Sequence, residues 1–326
     1  MSRYFRVLAS ICVLACAVVT GGLAAAQDYP TRPIKVIVPY PPGDLADVIA
    51  RLLGNEVSKE LGQPVVMENR PGASGLLGLQ AVAAADADGY TLVLGQMGSL
   101  AVAPNVNKWQ LKVQDALQPV ALAYTNYMML VTAPGLPAKT LPELIAHSKA
   151  KPGTLRAATN GTGGFPHLAL ELLRKQAGFD FSHIPYRGSS QILTDLMSGR
   201  VDVTIFGYSG LYPYVQDGRV NGIAVTGRKR APNAPKIPTV GETVPGYEAL
   251  GWFGYLAPKG TPAAVVNKIN AAVNKALALP EIQEQARRQG LDAAPGTPAD
   301  FAKAWKTDYD KWGGIIHDLG LQGSRN

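Results

Sequence analysis

Two blocks of alternating strand and helix patterns constrain the fold of this chain more than any other feature. In the first block, a β-branched run at residues 34–38 precedes an amphipathic pattern at residues 46–61. A strand pattern at residues 64–68, a helix at 75–85 and a strand at 90–94 follow. Such an order is typical of a parallel sheet that is covered by helices on both faces.

The same alternation continues from residue 128 to residue 226, and a strand pattern at residues 251–257 then precedes further helices. This last third contains too little sheet to fold alone. We therefore expect two α/β lobes, each built on a mainly parallel sheet: lobe I with residues 27–127 and 250–326, and lobe II with residues 128–249. The chain then crosses between the lobes twice, which predicts a hinge and a ligand cleft between the lobes.

The N-terminal segment predicts export. Arg3 and Arg6 precede the apolar residues 7–23, and an A-x-A cleavage pattern ends at Ala26. This layout is typical of a secretory signal peptide over residues 1–26, and no later segment is long and apolar enough to span a membrane. We therefore expect a soluble periplasmic protein.

Both cysteines, Cys12 and Cys16, lie in this segment. The mature chain would carry none, which excludes disulfides, thiolate catalysis and cysteine-ligated metals. Residues 13–16 loosely resemble a lipoprotein cleavage site, which leaves lipidation at Cys16 as an alternative.

The charge of the chain favours an anionic ligand. Removing Arg3 and Arg6 from a net charge of +7 leaves +5 on the mature chain, and such a charge attracts anions over long range. The basic residues are scattered, and the densest cluster, at residues 228–230, is short. We therefore expect no nucleic-acid binding.

Glycine-rich loops follow the strands at the predicted cleft, at residues 39–47, 95–99, 159–167, 185–191 and 207–210. Glycine lets backbone N–H groups approach a ligand, and the start of a helix favours negative charge. Ligands of open α/β sheets bind at the carboxyl ends of the strands. The predicted ligand-binding residues are Tyr40, Pro42, Gly43, Asp44, Asp47, Gly98, Ser99, Asn160, Gly161, Thr162, Gly164, Phe165, His167, Arg187, Gly188, Ser189, Ser190 and Tyr208.

Several of these residues have simpler interpretations. Each loop is also compatible with turn chemistry alone, His167 with capping or packing, and Asp47 with capping of its helix. The sequence contains no nucleophile elbow, P-loop or zinc-protease motif, and the histidines lack metal-ligand spacing. We expect no cofactor, no metal and no enzymatic turnover.

Short motifs along the mature chain carry a family resemblance. They include PPG at residues 41–43, ENRPG at 68–72, DGYT at 88–91, HIPYRG at 183–188 and WFG at 252–254. In order and spacing, the chain resembles the periplasmic substrate-binding proteins of tripartite tricarboxylate transporters, the Bug-type receptors. The resemblance spans essentially all of the mature chain.

The resemblance implies a two-lobed periplasmic-binding-protein fold whose cleft closes on a ligand. It implies that a carboxylate is held by backbone amides of residues 42–47 and by small polar groups of residues 159–167 and 187–190. It also implies delivery to a membrane permease with a large and a small subunit. We expect the receptor itself to be a monomer.

The sequence departs from the family pattern at two positions. Asp44 stands where a second glycine is usual, and Tyr208 stands two residues after Phe206 in place of an acidic or amide residue. Together with Tyr40, Phe165 and Tyr186, Tyr208 could line a pocket for an aromatic carboxylate. The ligand class therefore stays open among dicarboxylates, tricarboxylates and aromatic carboxylates.

Two other functions are alternatives to a transport receptor. One is a periplasmic hydrolase or isomerase on the same lobes, and the other is a receptor that signals to a kinase. An enzyme would need titratable groups within mutual reach, which the loops do not offer.

Overall fold

The structure, a computed structural model, describes residues 29–186 and 188–323. The predicted signal peptide at residues 1–26, with its alternative lipidation site at Cys16, lies outside the described residues, as does Arg187. In the part of the chain that is described, no helix is long and apolar enough to cross a membrane.

A mixed sheet runs through the whole molecule. Its strands are β1 (Ile34–Val38), β2 (Val65–Asn69), β3 (Thr91–Gln96), β4 (Leu117–Thr132), β5 (Arg156–Thr159), β6 (Ser182–Pro185), β7 (Val203–Gly207), β8 (Asn221–Val225), β9 (Leu250–Pro258) and β10 (Leu291–Ala293). They follow the order β2-β1-β3-β9-β4-β7-β5-β6, and β8 and β10 also pair with β4.

Strand β4 belongs to both halves of this sheet. Its residues 117–127 pair with β9, and its residues 128–132 pair with β7 and β8. Strand β9 brings the chain back to the first half. The assignment of residues 27–127 and 250–326 to lobe I and of residues 128–249 to lobe II stays a proposal, which this change of pairing partners supports. We refer to β4 and β9 as the crossing strands.

The direction of the strands differs between the outer and central parts of the sheet. Strand β1 is parallel to β2 and β3, and β5 is parallel to β6 and β7, as expected for α/β lobes. The crossing strands add antiparallel pairs, because one strand leaves lobe I and the other returns to it. The two-lobed α/β fold is confirmed, but its sheet is mixed rather than mainly parallel.

Helices cover both faces of the sheet. They are α1 (Leu45–Leu61), α2 (Leu76–Ala83), α3 (Ala103–Val106), α4 (Val113–Ala116), α5 (Leu141–Ala150), α6 (Phe165–Ala177), α7 (Ser189–Met197), α8 (Tyr208–Gln216), α9 (Ala263–Leu277), α10 (Pro280–Arg288) and α11 (Pro298–Asp318). Several begin where the sequence places a capping residue. Thr140 and Thr297, for example, each form a reciprocal capping box with the acidic residue three positions later.

Helix α11 packs across the region where the chain changes lobes. The Trp305 indole donates to the Leu100 carbonyl at 2.9 Å, and the Trp312 ring meets the Phe165 ring edge to face at 5.2 Å. Phe165 belongs to lobe II and Leu100 to lobe I under the proposed assignment. The C-terminal helix therefore contacts both sides of the cleft that is described next.

Candidate functional site

A cavity of about 400 Å³ lies between the crossing strands and the loops at the ends of β1, β3 and β5. This volume is within the usual range for small-molecule sites, roughly 300–1,000 Å³. We call it the front cavity. It is lined by Tyr40, Ser74, Gln96, Met97, Gly98, Ser99, Val102, Ala103, Val106, Asn107, Asn126, Asn160, Gly163, Gly164, Phe165, Pro166, Gly251 and Trp252.

The lobe I wall is built around the Tyr40 phenol and Ser99. Burial raises the pKa of Tyr40 to about 12, so the phenol stays neutral and keeps its proton for a hydrogen bond. Ser99 is buried and donates to the Gln96 carbonyl at 3.0 Å. Gly75 lies directly against Ser99. Its φ is +95°, a conformation that favours glycine, and an added Cβ would lie 3.0 Å from the Ser99 Cβ.

The predicted Pro-Gly loop supports this wall and does not line it. Pro42, Gly43 and Asp44 are exposed. The Asp44 carboxylate caps helix α1 by accepting from the Ala46 N–H at 3.0 Å. This contact directs the Asp44 carboxylate to its own helix, while its charge still contributes to the raised pKa of Tyr40.

Asp47 stabilises the Pro-Gly loop through hydrogen bonds. Its buried carboxylate accepts from the Arg51 guanidinium, the Gly43 N–H and the Asn69 amide, each at 3.0 Å. These contacts, with Arg51 the strongest, lower the pKa of Asp47 to about 2 although burial opposes the shift. Because the Asn69 amide also donates to the Tyr40 carbonyl at 3.0 Å, the carboxylate acts on the site through the position of Tyr40.

The lobe II wall comes from residues 160–164, which we call the lobe II loop, and from the start of α6. Asn160, Gly164 and Phe165, which the sequence predicts to bind a ligand, line the cavity together with Gly163. Gly164 begins α6 without a side-chain cap. The first N–H groups of a helix lack intrahelical acceptors, and they favour negative charge.

The other predicted residues lie behind the lobe II wall or away from it. Gly161 and Thr162 belong to the lobe II loop without lining the cavity, and the buried His167 ring accepts from the Gly163 N–H at 3.1 Å. Residues 188–190 form the start of α7 and are not among the lining residues.

Tyr208 is buried in the lobe II core and is not among the lining residues. Its hydroxyl donates to the Asn233 side chain at 2.8 Å, and its ring stacks on Tyr212 at 4.8 Å. Tyr186 donates to Asp195 at 2.7 Å instead of facing the cavity.

The crossing strands contribute the residues that sequence reasoning missed. Asn126 of β4 and Gly251 and Trp252 of β9 line the floor of the front cavity. The WFG motif carries the family resemblance, but it does not by itself place Trp252 in a cavity. Asn126 gives no comparable signal, because it lies inside a long apolar strand with no loop nearby.

Polar but uncharged side chains are prominent in the described lining of the front cavity. Among the described lining residues, none is Asp, Glu, Lys, Arg or His, whereas Gln96, Asn107, Asn126 and Asn160 bring carboxamides. In residues 29–186 and 188–323, no cluster of three or more His, Cys, Asp or Glu side chains could hold a metal. The arrangement can offer hydrogen bonds to a polar ligand and aromatic surface to its carbon skeleton.

A second cavity of about 650 Å³ lies on the opposite face of the crossing strands. We call it the back cavity. Alternate side chains of a strand point to opposite faces: Thr125 and Tyr127 line the back cavity, whereas Asn126 lines the front. Trp252 lines both cavities and donates its indole N–H to Asp308 at 2.8 Å. Burial raises the pKa of Asp308.

Charged side chains surround the back cavity. They are Arg228, Lys229, Glu248, Asp292, Asp300, Lys303 and Asp308. Some already have partners: Arg228 pairs with Glu248 at 2.5 Å, and Asp300 takes part in the capping box of α11.

Comparisons with known proteins agree with this geometry. The sequence profile of the tripartite tricarboxylate transporter family receptor matches residues 49–321. The protein BugT of Bordetella pertussis is 34% identical over 321 residues, which cover 96% of this chain and 98% of BugT.

Two solved structures from Rhodopseudomonas palustris are similar over most of the chain. One, with adipate, is 31% identical with a TM-score of 0.76 and covers 90% of this chain and 99% of its own. The other, MatC with bound malate, is 29% identical with a TM-score of 0.71 and covers 88% of this chain and all of its own (100%). The chain therefore belongs to the family of tripartite tricarboxylate transporter receptors and is a Bug-type receptor.

Proposed function

We propose that this chain is a periplasmic receptor that binds a small organic carboxylate in the front cavity and delivers it to a membrane permease with a large and a small subunit. The observation that carries the proposal is the front cavity itself. It lies at the crossing strands, has polar groups on both walls, and includes no charged side chain among its described lining residues.

Hydrogen bonds and dipoles suit a receptor that must release its ligand. A carboxylate can accept from the Tyr40 phenol, from side-chain amides such as Asn160, and from the Phe165 N–H at the start of α6. Hydrogen bonds to a charged group contribute about 1.5–3 kcal/mol each. A few such contacts give useful affinity.

The ligands of similar proteins support a carboxylate. The two similar structures hold adipate and malate, which both carry two carboxylates. Trp252, Phe165 and Tyr40 give the front cavity aromatic surface. We therefore propose aromatic carboxylates as ligands as well as aliphatic di- and tricarboxylates.

The same lining favours binding over turnover. A hydrolase or isomerase needs an acid, base or nucleophile within reach of the reacting bond. Ser99 has no histidine partner, because its hydroxyl donates to the Gln96 carbonyl. Export is supported by the predicted signal peptide, and we propose that the receptor acts as a monomer.

The first experiment is a thermal-shift screen of the purified mature protein. The panel contains aliphatic and aromatic mono-, di- and tricarboxylates, including adipate and malate. A ligand at a hundred times its Kd stabilises by about 2.7 kcal/mol, which shifts the Tm of a protein of this size by roughly 5 °C. Mass spectrometry of the recovered ligand separates binding from turnover, since a consumed ligand would favour the enzyme.

A matched pair of variants locates the binding site. Asn160→Ala removes a carboxamide from the front cavity, and Thr307→Ala removes a hydroxyl from the back cavity. We expect Asn160→Ala to weaken binding of the best panel ligand about tenfold, and Thr307→Ala to leave it unchanged. The opposite result, or a panel without any stabilising acid, would contradict the proposal.

A further inference from the structure

Two histidine rings stack directly behind the lobe II loop. His167 of α6 and His183 of β6 lie with their ring centroids 3.9 Å apart and their planes inclined by 21°. The His167 side chain is only 7% exposed. Two stacked imidazoles repel each other when both are protonated, so this arrangement requires at least one neutral ring.

The backbone of the lobe II loop fixes the protonation of His167. The Gly163 N–H donates to the His167 Nδ1 at 3.1 Å, and a nitrogen that accepts a hydrogen bond carries no proton. The proton of the neutral ring is therefore on Nε2. That nitrogen faces Glu171 Oε1 at 3.5 Å.

A hydroxyl connects His183 to the same loop. Thr159 is fully buried, and its Oγ1 lies 2.7 Å from the His183 Nε2 and donates to the Gly161 carbonyl at 3.3 Å. A hydroxyl has one proton, so both contacts are satisfied together only if the His183 Nε2 is the donor to Thr159. His183 then also carries its proton on Nε2.

We propose that His167 and His183 are positioning residues that hold the lobe II loop in its binding conformation as neutral Nε2–H tautomers, and that loss of the Nδ1 acceptor of His167 frees Gly163 and weakens ligand binding. The two rings fix the loop at Gly161 and Gly163, on either side of Thr162. The effect on binding rests on the proposed receptor function, whereas the tautomers do not.

The charged groups around the pair are mostly engaged elsewhere. Arg174 of α6 donates to both carboxylate oxygens of Glu171, at 2.8 and 3.0 Å, and its Nε lies 3.7 Å from Asp180. On the neighbouring α11, Asp318 pairs with Lys175 at 2.7 Å. Glu171 is thus the acid that faces His167, and its charge is largely matched by Arg174.

The environment of His183 also favours the neutral form. Burial, followed by the neighbouring His167 and Arg174, lowers the pKa of His183 to about 4, although Glu171 opposes the shift. Its neutral form therefore stabilises the folded protein above the ordinary histidine pKa of 6.5, and this contribution is lost as the pH falls through about 4.

Nitrogen NMR of the full mature protein tests the tautomers directly, without any ligand. At pH 7.5, we expect the Nδ1 of both rings to have the chemical shift of an unprotonated nitrogen and the Nε2 of both rings that of a protonated one. The Gly163 amide signal should move in His167→Leu, which lacks the Nδ1 acceptor. A proton on Nδ1 of either ring at pH 7.5 would overturn the proposal, whatever the protein binds.

Variants test the consequence for binding, with adipate and malate as probes. His167→Leu removes the acceptor for Gly163, and we expect about tenfold weaker binding at pH 7.5. His167→Asn places an amide oxygen where Nδ1 was and should bind within about threefold of the natural protein. It also provides an independent test if the leucine variant does not fold.

The contrast between the two variants separates positioning from packing, because only the asparagine variant keeps an acceptor for Gly163. His317→Gln, at a side chain that is 72% exposed, is the control and should bind as the natural protein does. A leucine variant that binds normally would refute the positioning role.

Discussion

The front and back cavities lie on opposite faces of the same crossing strands and differ in almost every chemical respect. Neighbouring residues of one strand separate them, since Asn126 faces the front and Thr125 faces the back. The front cavity is the smaller, at about 400 Å³ against 650 Å³, and none of its described lining residues is charged. The back cavity has acidic and basic side chains on all sides.

This difference shows two ways in which a cavity can meet an anion. Exposed charges are hydrated and screened, and Arg228 and Glu248 of the back cavity already pair with each other. Amides and hydroxyls that the fold holds in place recognise a ligand group by position as well as by charge. We therefore expect the front cavity, although smaller, to be the more selective of the two.

The largest expected effect on ligand affinity comes from placing a charge in the front cavity. Asn126→Asp changes few atoms but adds a carboxylate to the cavity floor, where it repels an anionic ligand at short range. We expect the affinity for the best panel carboxylate to fall about a hundredfold or more. Isothermal titration calorimetry at pH 7.5 measures the change.

Thr125→Asp is the matched control, because it adds the same charge one residue away on the opposite face of β4. We expect less than a threefold change in affinity, since the new charge lies on the face of β4 away from the front cavity, opposite Asp292. Equal losses of affinity in the two variants would mean that the face of β4 on which the charge lies makes no difference to ligand binding.

A smaller effect, on stability, is expected from removing the Asp47 carboxylate that supports the lobe I wall. Asp47→Ala leaves Arg51, the Gly43 N–H and the Asn69 amide without their shared acceptor, and we expect a loss of about 2–3 kcal/mol in the free energy of unfolding. Urea unfolding at a series of pH values measures this loss.

The loss should also depend on pH in a defined direction. Because its partners lower the pKa of Asp47 to about 2, the carboxylate contributes its full stabilisation above the ordinary pKa of 3.8. The difference between the variant and the natural protein should therefore shrink as the pH falls from 4 to about 2. A constant difference over this range would show that Asp47 acts through packing instead of charge.

The smallest effect is expected from the charges of the back cavity. The Arg228 side chain is 75% exposed and its partner Glu248 is 33% exposed. We expect Arg228→Ala to cost less than about 1 kcal/mol of stability and to leave carboxylate affinity unchanged. A clear loss of affinity in titration calorimetry would make the back cavity part of the binding site and would break the contrast between the two cavities.

The sequence predicts the parts of the fold and site that depend on local patterns. The strands at residues 34–38 and 251–257 and the helix at residues 46–61 follow from apolar spacing and flanking turns, and they are present within a few residues of those limits. Glycine-rich turns at the carboxyl ends of strands likewise indicate Ser99 and Asn160, which line the front cavity.

Features that depend on distant parts of the chain could not be predicted in this way. Strand β4 includes residues 117–127, which pair with β9. The apolar residues of this segment do not by themselves predict that pairing. Asn126 therefore carries no local signal. For Tyr208 the local signal is misleading. The residue follows the end of a strand, as many cavity residues do, but its hydroxyl donates to Asn233 in a distant part of the chain.

The pairing of β3 and β4 with β9 also determines when this protein can complete its fold. Strands β3 and β4 emerge early in synthesis, but the strand that lies between them, β9, follows only after the whole of lobe II. Until residue 258 has been made, β3 and the first half of β4 each keep an edge without this partner. Open strand edges are the surfaces through which incomplete chains aggregate. These two edges are therefore covered only after most of the chain has been synthesised.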